Sequence, residues 1–310
     1  MILTRLTSDL WSTVNGLMRT VYDVGWFKRS KLPCRVISVG NLQAGGSGKT
    51  PLVAHLAREA VVRGGSVCIL TRGYGGEWSR KSIGGVIAPG AERVNPVLSG
   101  DEAALLHLLV PEAWIGVGAD RMGAYFAVEK RVGSRLGLVI LDDGFQQFGL
   151  DRDVDILAVT SSSRARRLYR DFDSWVARAS LVVWTKGERP ALLDQARLSC
   201  HVRLAHRPPQ LATDYWLVTG VGDPGHVRES LTEAGYSIVR HISGRDHVRY
   251  SLDQLKSWAT AASAAGTRLL TTGKDWVKWE ALGFTQGEWV EPTVEWIEGR
   301  EAWEKALWEL

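Results

Sequence analysis

The sequence predicts an α/β protein. Its mainly parallel sheet is covered by helices on both faces, an amphipathic helix precedes it, and a smaller C-terminal α/β domain follows. Three observations carry this reading. Short apolar runs without polar alternation recur between helical patterns. The texture changes near residue 205. The first residues repeat an apolar side chain every three or four positions. Strands buried on both faces and alternating with helices belong to parallel sheets sandwiched between helical layers.

The N-terminal stripe is Leu3, Leu6, Leu10, Val14, Leu17 and Val21, with Arg5, Ser8, Asp9, Ser12, Asn15 and Arg19 between. This is one apolar face of a helix. Polar residues interrupt it too often for a membrane span or a secretory signal. Two readings stay open: a helix packed on its own domain, or a helix lying in a membrane surface. Trp26-Phe27-Lys28-Arg29-Ser30-Lys31 favours the second, with aromatics for the interface and cations for anionic head groups.

The strands expected next are Val36–Val39, Val67–Leu70, Trp114–Val117, Leu138–Leu141, Ile156–Val159 and Leu181–Trp184. "AHRPPQLATD" then reads as a linker. A second series follows, with strands at Tyr215–Val221, Ile238–Ile242 and Leu269–Thr272 and helices near 225–235 and 252–265. The expected division is therefore 1–30, a helix that associates with membrane; 31–208, the larger domain; and 209–310, a smaller domain completing the active-site cleft.

Composition narrows the function. The chain of 310 residues is 45% apolar and 23% charged, as in soluble globular proteins. Cys34, Cys68 and Cys200 form no C-x-x-C pair, which argues against a disulfide framework or zinc site and fits a reducing compartment. The net charge of +4 is carried entirely by residues 1–35. No basic face interleaved with aromatics appears, so nucleic acid is not an expected partner. Fourteen tryptophans suit a core or a water–lipid boundary.

Chemistry enters at "RVISVGNLQAGGSGKTPLVAHL". A strand, a glycine loop and a helix follow in order, the context of a phosphate-binding loop, so the larger sheet is expected to be of the P-loop NTPase type. The strict spacing G-x-x-x-x-G-K-[ST] wants glycine at position 43, where this chain has Gln43. Backbone amides of Gln43, Ala44, Gly45, Gly46, Ser47, Gly48, Lys49 and Thr50 are expected to cradle nucleotide phosphates. Lys49 would reach the outer phosphates and the Thr50 hydroxyl would help hold Mg²⁺. "GLVILDDGFQ" places Asp142 and Asp143 directly after a buried strand, as metal-holding acids require. In "SGDEAALLHLL", Ser99 or Asp101 reads on pattern alone as a helix cap.

Together these pieces resemble the tetraacyldisaccharide 4′-kinases, the lipid A 4′-kinases of Gram-negative bacteria. That family carries V-G-N-φ-x-x-G-G-x-G-K-T-P (φ apolar), also without the early glycine. Further matches, in family order, are Thr71–Gly75 (T-R-G-Y-G), Gly100–Glu102 (G-D-E), Asp120-Arg121, Leu141–Gln146 (L-D-D-G-F-Q), Leu150–Ile156, "VTGVGDP" at 218–224, "RDHVRYS" at 245–251 and "TTGKDWVKW" at 271–279. The resemblance implies transfer of the γ-phosphate of ATP, with Mg²⁺, to the 4′-hydroxyl of a lipid A disaccharide 1-phosphate precursor. It implies Asp101 as catalytic acid/base partnered by His247, with Lys49 assisting. It implies Thr50, Asp142, Asp143 and Asp171 at the metal, and Arg72, Glu102, Arg121, Gln146 and Arg170 at the acceptor. It also implies peripheral attachment to the cytoplasmic face of the bacterial inner membrane.

The chain departs from the family at three places. The family's glycine- and proline-rich loop ending L-P-A-G-P-L-R-E-P is here "SSSRARRLYRDF", with Arg170-Asp171 falling on its Arg-Glu. Gly-Asp-Glu-Pro becomes Gly-Asp-Glu-Ala, and Thr-Glu-Lys-Asp becomes Thr272-Gly273-Lys274-Asp275. Arg164, Arg166, Arg167 and Arg170 read either as a grip on an acceptor phosphate or as a solvated basic loop. The alternative functions are a GTPase or metal-insertion switch, for which Thr185-Lys186-x-Glu188 approaches the guanine-reading signature; a non-catalytic relative; and a kinase for another lipid or sugar.

Overall fold

The computed structural model of the chain describes residues 2–80, 84–161 and 167–309. The chain opens with α1 (Ile2–Asp23), and β1 (Arg35–Asn41) then runs into the glycine loop and α2 (Lys49–Val62). Next come β2 (Val67–Thr71), β3 (Gly85–Ile87), the one-turn α3 (Pro96–Ser99), α4 (Asp101–Leu109), β4 (Trp114–Val117), α5 (Arg121–Val132) and β5 (Leu138–Asp142). The series closes with β6 (Val154–Thr160), β7 (Leu181–Lys186) and β8 (Ser199–Ala205). After the irregular linker come β9 (Asp214–Thr219), α6 (Pro224–Glu233), β10 (Ser237–Ser243), α7 (Leu252–Ala264), β11 (Arg268–Thr272), α8 (Gly273–Ala281), β12 (Glu288–Val290), β13 (Thr293–Glu298) and α9 (Arg300–Leu307).

The larger sheet has the order β13-β8-β7-β6-β1-β5-β2-β4-β3, parallel from β8 to β4 with antiparallel edges. Alternate residues of each strand feed opposite cores, which is why the runs read as continuously apolar. Ile37, Val39, Ile69 and Ile140 face α2, α4 and α9, around Leu52, Leu56, Leu106 and Trp303. Val36, Leu70, Val139 and Leu141 face Tyr125 and Val128 of α5. Leu157, Val159 and Val182 pack on Phe145, Tyr169 and Val176. The smaller sheet, β10-β9-β11-β12, is wholly parallel. Both sheets therefore present the carboxyl ends of parallel strands, where ligands bind in open α/β folds.

The C-terminal boundary differs from the expected 209–310. β13 pairs antiparallel with β8, and Trp303 and Leu307 are buried in the core of the larger lobe. The end of the chain thus covers an otherwise open sheet edge. No contiguous apolar run announces it, because Thr293–Glu298 alternates Val294, Trp296 and Ile297 with glutamates.

α1 docks the other way round from an ordinary amphipathic helix. Its polar side faces the protein: Ser8 and Ser12 are fully buried, and Asn15 and Arg19 nearly so. Ser8 Oγ accepts from the Tyr169 amide at 2.9 Å and Asn15 Nδ2 donates to Arg170 O at 2.8 Å. The Arg19 guanidinium lies 4.4–4.9 Å from the ring centroids of Phe145, Phe148 and Trp175 and 3.6 Å from Asp171. Cation–π contacts and a buried carboxylate make this polar side the adhesive one. The apolar stripe, Leu6, Leu10, Val14 and Leu17, points outward, Leu10 being 68% exposed. The helix does pack on its own domain, but through its polar side rather than through the stripe. No described helix is long and apolar enough to cross a membrane.

Candidate active site

The glycine loop follows β1 and opens onto α2. Gly45, Gly46 and Gly48 all have positive φ, between 65° and 75°, which turns successive amides toward one side. At Gly48 a side chain would also strike Leu204 Cδ1, 2.5 Å from a built Cβ. Asn41 Nδ2 donates to Ser47 Oγ at 2.7 Å and Thr185 Oγ1 to Ser47 O at 3.0 Å, so the strands on either side hold the loop. One expected cradle amide, that of Ala44, is committed elsewhere, and the Gln43 side chain is tied down. The Ala44 amide donates to Leu168 O at 2.8 Å, and Gln43 Oε1 accepts from Thr160 Oγ1 at 3.0 Å. Gln43 and Ala44 thus belong to a bridge with the segment around Tyr169, and the positive-φ turns of the loop begin at Gly45.

Lys49 Nζ lies 3.5 Å from Asp143 Oδ1. Arg170 grips the same carboxylate with both terminal nitrogens, at 2.7 and 2.8 Å, and also donates to Asn41 Oδ1. Burial works against ionisation of Asp143, but Arg170 and Lys49 hold its carboxyl well below the usual range. Its neighbour behaves oppositely. Burial, then the nearby Glu102 and Asp143 carboxylates, push Asp142 up to about 7 against the opposing Lys49 and Thr71. Thr71 Oγ1 donates to Asp142 Oδ2 at 2.9 Å. Crowded negative charge of this kind fits a divalent cation held by one or two carboxylates, a Ser/Thr hydroxyl and phosphate oxygens. Asp142 and Thr50 suit that part; among the described residues no three His, Cys, Asp or Glu groups form a cage of their own.

Asp171 does not join them. It is fully buried, with Gln146 Nε2 donating to it at 2.6 Å and Arg19 beside it. The metal role expected for it is corrected: its carboxylate is taken by Gln146 and by Arg19 of α1. Gln146 also donates to Asn41 O at 3.0 Å, so Gln146 and Arg170 are internal braces rather than open acceptor contacts. Glu102 and Arg121 do gather at the aspartates, and Arg72 lies near Arg121. Arg121 is buried in the fields of Asp142, Asp143 and Arg72, and Glu102 is near enough to perturb Asp142. Arg167 lies over the loop, its Nη1 2.6 Å from a Cβ built on Gly46. Arg164 and Arg166 lie outside the described residues.

The second centre joins the two lobes. Asp101 is the first residue of α4, whose cap is Gly100 and uses no side chain. Ser99 Oγ donates to Asn95 O and Gly100 O, so the capping expectation for Ser99 or Asp101 is corrected. Asp101 Oδ2 instead meets His247 Nδ1 at 3.0 Å, across 146 residues of chain. His247 follows β10, with its amide donating to Gly220 O at 3.0 Å. His247 and Asp143 are the described non-glycine residues with positive φ, 60° and 57°. Strained backbone of this kind clusters at functional sites.

Three residues here had no assigned role in the sequence. Lys278 Nζ is buried 3.9 Å from Asp101 Oδ2 and 2.6 Å from Asp275 Oδ1. Lys274 Nζ lies 3.3 Å from His247 Nε2 and 3.0 Å from Asp246 Oδ1. Glu291 stands against Gly273, where a side chain on that glycine would meet Glu291 Oε2 at 2.8 Å and Leu105 Cδ1 at 2.8 Å. The departure to glycine at position 273 makes room for this carboxylate. The i, i+4 spacing of Lys274 and Lys278 was a visible signal of a shared helix face.

The tetraacyldisaccharide-1-P 4′-kinase (LpxK) family model matches residues 1–309. The tetraacyldisaccharide 4′-kinase of Desulfatibacillum aliphaticivorans is 32% identical over 90% of this chain and 84% of its own length. That of Geobacter metallireducens is 35% identical over 84% of this chain and 83% of its own. Among solved structures, the "apo" form of LpxK from Aquifex aeolicus in complex with ATP superposes with a TM-score of 0.75 at 25% identity, covering 97% of this chain and 96% of that one. None of these favours the GTPase or metal-insertion reading, and Thr185 is spent on holding the glycine loop. The chain belongs to the tetraacyldisaccharide-1-P 4′-kinase family.

Proposed function

We infer that the protein transfers the γ-phosphate of ATP to the 4′-hydroxyl of a tetraacyldisaccharide 1-phosphate, a precursor of lipid A. One observation carries the residue roles: the 3.0 Å Asp101–His247 contact joins the lobes on the same rim as Lys49 and Asp142. A sugar hydroxyl is a poor nucleophile, and a positioned carboxylate accepts its proton as the new oxygen–phosphorus bond forms. In this reading Asp101 takes the 4′-hydroxyl proton while the bond between the γ-phosphorus and the bridging oxygen breaks and ADP leaves. His247 orients the carboxylate. The amides from Gly45 onward and Lys49 hold the phosphates. Asp142 and Thr50 would hold Mg²⁺, which when bound offsets charge on the phosphate oxygens. Arg72, Glu102 and Arg121 are best placed to contact the acceptor. Purified protein given ATP, Mg²⁺ and disaccharide 1-phosphate should yield a 1,4′-bisphosphate; ATP hydrolysis without that product would overturn the reading.

The outward apolar face of α1 supports attachment to the cytoplasmic face of the inner membrane. Trp26 (81% exposed) and Phe27 extend that face, beside the basic Lys28, Arg29 and Lys31. Removing residues 1–30 would also strip Asn15 and Arg19 from the domain. The cleaner test replaces Leu6, Leu10 and Leu17 with Gln and measures sedimentation with anionic vesicles. Unchanged binding would refute the attachment.

A further inference from the structure

We propose that Lys274 is a positioning residue for phosphoryl transfer: its ammonium donates to His247 Nε2 and so holds the imidazole as the neutral Nδ1–H tautomer that donates to Asp101. The proposal rests on the reading above, in which Asp101 is the base, and assigns the residue that sets the proton on its partner.

An ammonium has three donors and no acceptor. At 3.3 Å from Lys274 Nζ, His247 Nε2 must supply its lone pair, and the ring proton is left on Nδ1, 3.0 Å from Asp101 Oδ2. The nearby Asp246 carboxylate does not offer Nε2 an alternative. Its Oδ1 is 4.0 Å away, beyond hydrogen-bond reach, and itself accepts from Lys274 at 3.0 Å. The groups facing the ring are Asp101 from α4, Lys274 from α8 and Asp246 on its own loop; Lys278 of α8 stands beside Asp101, and Asp275 and Glu291 stand behind the lysines. A second ring proton at Nε2 would point at the Lys274 ammonium.

The helix dipole gives a second reason to assign Lys274 a task. It occupies the first turn of α8, where the positive end of the dipole disfavours a cation. The geometry is also tied down. The His247 amide donates to Gly220 O, and the Gly220 amide donates to Asp275 Oδ2 at 2.7 Å, on the same helix as Lys274. Ring and ammonium therefore move together. The benefit lies in basicity: a neutral N–H leaves Asp101 a stronger proton acceptor than an imidazolium would.

The test uses full-length protein labelled with ¹⁵N-histidine, as wild type, K274M and K274R, with H247Q for assignment and K274Q standing in if K274M does not fold. Wild type should show His247 protonated at Nδ1 and bare at Nε2. In K274M the ring, no longer tied at Nε2, should leave Asp101 part of the time and then populate the Nε2–H tautomer. Its kcat at neutral pH should fall about tenfold. KM for ATP should hold steady, and K274R should recover most of the rate. A K274M protein with the wild-type tautomer and wild-type kcat would overturn the proposal. If instead wild type makes no bisphosphorylated product, the kinase reading fails, while the tautomer measurement still decides what Lys274 does.

Discussion

Asp143 and Asp101 stand on one rim, yet they are held differently. Asp143 takes all its partners from the larger lobe: Arg170 on both oxygens and Lys49 from the glycine loop. Asp101 takes its partners from the smaller lobe: His247 after β10 and Lys278 on α8. The phosphate side of the site is therefore complete within one folded unit, whereas the proton-transfer side exists only while the lobes are together. Damage on the first side should appear in nucleotide affinity, and damage on the second in turnover.

The sharpest way to break that contrast is Asp101→Ala. Loss of a general base costs about a hundredfold to ten-thousandfold in kcat, and ATP binding by calorimetry should stay near wild type. A comparable loss of ATP affinity would show that the two centres are not separable. His247→Ala should act in the same sense but less, lowering kcat by about ten- to a hundredfold with little change in KM for ATP.

How much of this was legible depends on the range of each interaction. β1, the glycine loop and α2 were readable because their signals are contiguous, and Asp142-Asp143 because they end a buried run. Asp101–His247 spans 146 residues, and only a resemblance paired them. Lys274, Lys278 and Glu291 went unassigned since their meaning arises where two lobes touch. α1 shows the limit of periodicity. The stripe was correct, but which side faced the protein was decided by Arg19 finding Phe145, Phe148, Trp175 and Asp171. Arg170 and Gln146 were expected at the acceptor because of their motifs; the buried Asn41 and the aspartates claimed them.

Arg170 sharpens the comparison further. With Arg170→Ala, Asp143 keeps Lys49 as its cation, and a lysine drawn to a carboxylate is less available to phosphate. We expect KM for ATP to rise about tenfold, or about 1.4 kcal/mol, while KM for the acceptor changes little. The opposite pattern, a change confined to the acceptor, would return Arg170 to the role its motif suggested.

The smallest expected effect concerns the junction itself. Enclosure of its carboxyl pushes Glu291 up to about 7, with Asp275 adding to the rise and the Gly273 amide and Arg58 opposing it. A carboxyl whose folded value lies above its unfolded one binds its proton more tightly in the native state. Stability then falls as pH rises through the window from about 4.5 to about 7. Glu291→Gln removes the ionisation. Because the residue as a whole is only half-buried, the gain above pH 7 should be about 2 kcal/mol, less than the full shift implies. Thermal melts should show Glu291→Gln a few degrees more stable at pH 8 and equal to wild type near pH 4.5. If the junction carboxylate also steadies Lys274, the same variant should lose turnover while gaining stability. A variant that gained stability with full kcat would confine Glu291 to packing and leave the proton-transfer side resting on α8 alone.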